Sequence, residues 1–109
     1  MEFSDEAFLT QLEYHPSDTL LKQLERIKKN THNFEQIAKH IIVLNEQLKP
    51  FDSFVALSNS HDYIKIKNQA ASSLQDQTTQ IIKNWSEKYK IHIEKLPKKD
   101  TYYIKGYEK

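Results

Sequence analysis

The chain has no cysteine, one glycine, three prolines and a single arginine in 109 residues. Without cysteine there is no disulfide, no thiolate zinc site and no thiol nucleophile. Small secreted domains ordinarily carry bridges, so their lack favours an intracellular, cytoplasmic address and leaves a nuclear one open. One glycine, Gly106, excludes a phosphate-cradling loop, which needs several positions where backbone approaches the ligand closely. No apolar run nears the roughly 18 residues that span a membrane. The segment MEFSDEAFL is acidic, which is unlike a secretory signal or a transit peptide, and no lipidation motif stands at either end.

What is present is enough for a core. Leu, Ile, Val and Phe total 28 residues, above the roughly 20% below which chains tend to stay disordered. The length predicts one domain over 1–109, burying about two thirds of the surface of its unfolded chain. The net charge of +1 hides an asymmetry. Residues 1–82 carry eight basic and eleven acidic side chains, and residues 83–109 carry eight Lys and four acids. An acidic front and a basic tail can attract each other, within or between molecules, or the tail can meet an anionic partner. The simplest reading is a solvated, Lys-rich surface.

Periodicity predicts three short helices in the front half. Ser4 caps the first, with Asp5 and Glu6 in its opening turn; Phe8, Leu9 and Leu12 share a face, and Pro16 stops it. Ser17 caps the second, where Leu20, Leu21, Leu24 and Ile27 recur, with Lys28 and Lys29 near its end and Asn30 closing it. Thr31 is read as the cap of the third. There Phe34, Ile37, Ala38, Ile41, Leu44 and Leu48 form the clearest helical stripe in the chain, and Pro50 ends it. Ile42 lies about 100° from the centre of that stripe, and Val43 nearly opposite it. A helix apolar on two sides is either central in its own domain or touches a partner.

Residues 54–57 (FVAL) and 63–67 (YIKIK) flank a turn-like SNSHD and read first as a hairpin; two helical pieces are the alternative. Ser72 and Gln75 fit a capping box opening a long fourth helix, on which Ala71, Leu74, Thr78, Ile81, Ile82, Trp85 and Tyr89 line one face. Ile91 and Ile93 then alternate with His92 and Glu94, the PKKD segment turns, and TYYIKGY (101–107) returns as a strand. The fold class is therefore α+β and mostly helical: three short helices, a long fourth and a C-terminal β-hairpin, with a second hairpin at 54–67. The expected core is Phe8, Leu12, Leu20, Leu24, Ile27, Phe34, Ile37, Ile41, Leu44, Leu48, Leu74, Ile81, Trp85, Ile91 and Ile93. No sequence repeat or linker marks a domain boundary.

Site chemistry is sparse. His15, His32, His40, His61 and His92 form no HExxH pair, and His32 and His40 stand two turns apart, about 12 Å, too far to share a metal alone. Ser60, His61 and Asp62 are consecutive, whereas working triads assemble from separated segments; a turn in which Asn59 and Asp62 cap local backbone is the better reading. The carboxylates are dispersed. We expect no catalytic residue, no cofactor and no metal, and the chain is read as a non-enzyme.

Two binding readings remain. The first is a protein–protein interaction component, an adaptor or assembly subunit that either self-associates or joins a protein partner. Its candidate contacts are Ile42 and Val43 on the two-sided helix, together with Tyr102, Tyr103, Lys105 and Tyr107 on a final strand that a partner strand would extend if it lies at a sheet edge. The alternative is a single-stranded nucleic-acid-binding module, in which Tyr103 and Tyr107 stack bases and Lys95, Lys98, Lys99 and Lys105 follow phosphates. The lone Arg26 and the near-neutral charge weigh against that alternative.

Overall fold

A computed structural model of the chain describes residues 4–58, 61–97 and 100–107. Four helices and a four-stranded antiparallel sheet occur in the order α1 (Asp5–Gln11), α2 (Asp18–Asn30), α3 (Phe34–Leu48), β1 (Phe54–Leu57), β2 (Ile64–Lys67), α4 (Gln75–Tyr89), β3 (Ile91–Lys95) and β4 (Thr101–Tyr107). The fold is α+β, as its periodicities predict, and residues 54–67 form a hairpin rather than helical pieces.

The local signals at α1 and α2 act as read. Ser4 Oγ accepts from the Ala7 N–H at 3.1 Å, and Ser17 Oγ from the Leu20 N–H at 3.2 Å. Two other caps differ. The Thr31 hydroxyl donates back to the Ile27 carbonyl at 2.8 Å, so this residue closes α2 instead of opening α3. The residue before α3 is Asn33, in a left-handed conformation with no side-chain cap. Ser72 lies in a 3-10 turn, Ser72–Leu74, ahead of α4. The Gln75 amide donates to the Ala70 carbonyl at 2.8 Å, so no capping box forms. The fourth helix consequently has 15 residues, the same as α3.

The strand order is β1-β2-β4-β3. A helix followed by a hairpin thus occurs twice, α3-β1-β2 and α4-β3-β4, and the two hairpins join through β2 and β4. This corrects the expectation that the last strand is a partner-seeking edge: β4 is hydrogen-bonded on both sides, and β1 and β3 are the edges. The edge of β1 is closed by side chains. The Val55 N–H donates to Asn45 Oδ1 at 2.9 Å and the Leu57 N–H to the Tyr14 hydroxyl at 3.1 Å, which removes donors that an incoming strand would use.

Strand alternation divides the sheet into two faces. Val55, Leu57, Ile64, Ile66 and Ile104 are buried and join one hydrophobic cluster with Phe8, Leu24, Ile27, Ile37, Ile41, Leu44, Leu48, Ile82 and Trp85 from the helices. α3 sits at the centre, packing on α1, α4, β1 and β4. That position explains its second apolar side: Ile42 is 8% exposed and belongs to the core, while Val43 is 42% exposed. Leu74 was expected inside but is 37% exposed, because it belongs to the 3-10 turn and not to the helical stripe. Leu20, Ile81 and Ile93 are half-buried at the margin.

Among the described residues, ion pairs decorate the surface without crossing the charge divide. Lys28 Nζ lies 2.9 Å from Asp5 and 3.1 Å from Glu35, linking α2 to α1 and α3. Burial opposes its positive charge, but hydrogen bonds to these two carboxylates outweigh burial and leave its pKa raised. Among the described residues, the other pairs also stay within 1–82, or, for Lys105 with Glu94, within 83–109.

Candidate interaction surfaces

Two surfaces carry features beyond packing: the outer groove between α3 and α4, and the face of the sheet turned away from the helices.

The groove exists because α3 and α4 run antiparallel and are fastened by polar contacts as well as by apolar ones. Trp85, buried in the core, donates its indole N–H to the His40 carbonyl at 2.8 Å. The Tyr89 ring stacks on the His40 imidazole, with centroids 3.8 Å apart and an interplanar angle of 17°. Burial, followed by the neighbouring charges of Lys39 and Lys88, pushes the His40 pKa below its ordinary value of 6.5. One turn or more further along, Gln47 on α3 faces Ile81 and Asn84 on α4. Together with Trp85, Lys88 and Tyr89 these line a cleft of about 430 Å³. Helical spacing places exposed Val43 on the same side of α3 as His40 and as Gln47, which lines the cleft. The apolar floor with a rim of Gln, Asn and Lys suits a side chain from another molecule.

On the open face of the sheet, Lys65 and Lys67 of β2 stand opposite Tyr103 and Thr101 of β4. Tyr63 and Tyr103 stack with centroids 5.3 Å apart. The ammonium of Lys105 lies 3.9 Å from the Tyr63 ring centroid, a cation–π contact. The Tyr103 hydroxyl meets His61 Nδ1 at 3.0 Å. Tyr103 is 7% exposed, so its ring is already covered.

The residues singled out from sequence therefore separate. Tyr103 and Lys105 share the open face, whereas Tyr102 and Tyr107 pack against the hydrophobic cluster on the other face. Ile42 is in the core and Val43 is exposed on the side of α3 that carries Gln47. Lys95 is exposed at the end of edge strand β3. Lys98 and Lys99 lie outside the described residues. The C-terminal hairpin thus presents no single row of tyrosines and lysines. Tyr102 and Tyr103 face opposite ways because strand neighbours alternate, and the register shift at His92/Ile93, which skips Lys105, brings Tyr107 to the face of Tyr102; Tyr103 is itself buried and has no open ring to offer a base.

Of the consecutive Ser60, His61 and Asp62, the structure describes the last two. Ser60, like Asn59, lies outside the described residues; His61 meets Tyr103; and Asp62 Oδ1 faces Arg26 Nε at 3.4 Å. Among the described residues no group of three or more His, Asp or Glu could hold a metal ion, and no helix is long and apolar enough to cross a membrane. Sequence reasoning missed the contributions of His40, Tyr89, Lys65 and Lys67. The lysines were legible, since they alternate with Ile64 and Ile66 in the YIKIK run. The His40–Tyr89 stack joins residues 49 positions apart, and nothing local announces it. Comparison of the chain with family models, with curated proteins and with solved structures finds no match.

Proposed function

We propose that this protein is a non-catalytic protein–protein interaction component whose contact surface is the groove between α3 and α4. The observation that carries the reading is the apolar cleft lined by Ile81, Trp85 and Tyr89, with Val43, 42% exposed, on the same side of α3 as the lining residue Gln47. Aromatic residues in a preformed cleft with a polar surround are the usual anchors of an interface. The strand-addition route is narrower, because β4 is central and the β1 edge is occupied by Asn45 and Tyr14. The groove is open to a second copy of the chain or to a subunit of a larger assembly.

The test is the native mass of the protein recovered from its own cell, compared with that of the Val43→Glu variant. The reading expects a dimer or a co-purifying protein with the wild type, and a bare monomer of unchanged melting temperature with Val43→Glu. A wild-type chain that sediments as a monomer and retains no protein partner overturns it.

A further inference from the structure

A cleft of about 350 Å³ runs over the open face of the sheet, away from α3 and α4. Its floor holds Lys65 and Lys67, both half-buried, with Thr101 opposite Lys67 and with Asn68 and Gln69 where the chain leaves β2. We propose that this cleft binds a phosphate-bearing ligand.

Lys28, Lys49 and Lys105 each lie within 4.0 Å of a carboxylate. The backbones of Lys65 and Lys67 pair within the sheet, but their ammonium groups have neither a carboxylate nor a hydrogen-bond partner among the described residues. Two like charges side by side on one sheet surface repel each other, and an anion bound between them relieves that repulsion. Residues i and i+2 of a strand point to the same side, with Cα atoms roughly 6.5 Å apart, so both flexible amines reach one tetrahedral dianion. Lysine serves phosphate as a point charge and needs no bidentate geometry.

The neutral lining is suitable as well. The exposed amide of Gln69 and the hydroxyl of Thr101 supply donors. Asn68 is committed elsewhere: its amide donates to Thr79 Oγ1 and its Oδ1 accepts from the Ala70 N–H, which fixes the wall of the cleft. Asp100 also lines the cleft, and its backbone carbonyl accepts from the Asn68 N–H at 2.9 Å. One carboxylate against two ammonium groups leaves the cleft positive. The scarcity of glycine excludes a backbone cradle for phosphate, but it does not exclude one made of side chains, which is what these lysines provide.

The experiment is a titration of the full chain, followed by amide nuclear magnetic resonance, with three probes: inorganic phosphate, adenosine monophosphate and a short oligothymidylate. Saturable shifts at Lys65, Lys67 and Thr101 are expected with at least one probe, and Lys65→Gln with Lys67→Gln should weaken that binding about tenfold or more. The groove variant Val43→Glu should bind as the wild type does, which separates this site from the interface proposed above. Tightest binding of inorganic phosphate identifies a free phosphate ligand; of the mononucleotide, a nucleotide; and of the oligomer with steep salt dependence, a nucleic-acid backbone. Absence of saturable shifts with all three probes, or unchanged binding by a double variant with the wild-type melting temperature, overturns the proposal.

Discussion

The single glycine of the chain, Gly106, lies against the backbone of His32. A Cβ at this position would stand 2.4 Å from the His32 nitrogen, and the Gly106 φ of +135° is one that L side chains rarely adopt. The contact is productive. The His32 N–H donates to the Lys105 carbonyl at 3.2 Å, and the Tyr107 N–H donates to the His32 carbonyl at 2.8 Å. A parallel bridge thus ties the link between α2 and α3 to the middle strand of the sheet.

Gly106→Ala should therefore be among the most damaging single-methyl additions available. The strained φ and two disturbed hydrogen bonds together predict a loss of roughly 3 kcal/mol. Thermal melts followed by circular dichroism should show a midpoint lowered by more than ~10 °C. A shift of only a degree or two would mean that the bridge is easily displaced and contributes little to holding β4.

Neighbouring positions on α3 give a sharper contrast. Ile41 is fully buried at the centre of the cluster, whereas Val43 is 42% exposed. Ile41→Ala removes packed methyl groups where three elements meet and should cost about 2–5 kcal/mol. Val43→Ala should lie within about 0.5 kcal/mol of the wild type. Denaturant unfolding of the two variants measures both. Equal losses would mean that α3 is rotated from the orientation described.

How far this fold could be read in the sequence depends on the range of the interaction involved. Ser4 and Ser17 were legible as caps because each bonds to an N–H three residues away. The stripe from Phe34 to Leu48 was legible because one helix face must repeat every three to four residues. Thr31 was misassigned because the same hydroxyl can cap the following helix or bond back to the preceding one, and here it does the latter. The place of β4 was hidden for a different reason. Its pairing with β3 is a local hairpin, but its other neighbour, β2, is chosen by long-range pairing and stands 34 or more residues away from its partners on β4. Asn45 illustrates the same limit within a helix: it stands on the buried side of α3, 2% exposed, because its Oδ1 accepts the Val55 N–H at the sheet edge. A polar residue in such a stripe gives no hint of the strand it serves. Of the two candidate surfaces, the lysines of the open face are written in a five-residue alternation. The groove needs two helices brought side by side before it exists.

The burial of His40, whose ring stacks on Tyr89, makes stability depend on pH in a definite direction. Burial, assisted by Lys39 and Lys88, holds the His40 pKa below 6.5 in the folded protein, so the unfolded chain takes up this proton first as the pH falls. Where the unfolded state binds more protons, stability rises with pH. The contribution of His40 is thus complete well above pH 6.5, is lost as the pH falls through 6.5 toward the lower folded value, and is level below it. His40→Phe keeps an aromatic partner for Tyr89 and leaves the His40 carbonyl, which accepts the Trp85 indole N–H, in the backbone. The variant should therefore fold, and its stability should decline less than that of the wild type across this window. Parallel urea unfolding series of the two proteins on either side of pH 6.5 supply the comparison; identical pH dependence would show that the imidazole is equally protonated in the folded and unfolded chains.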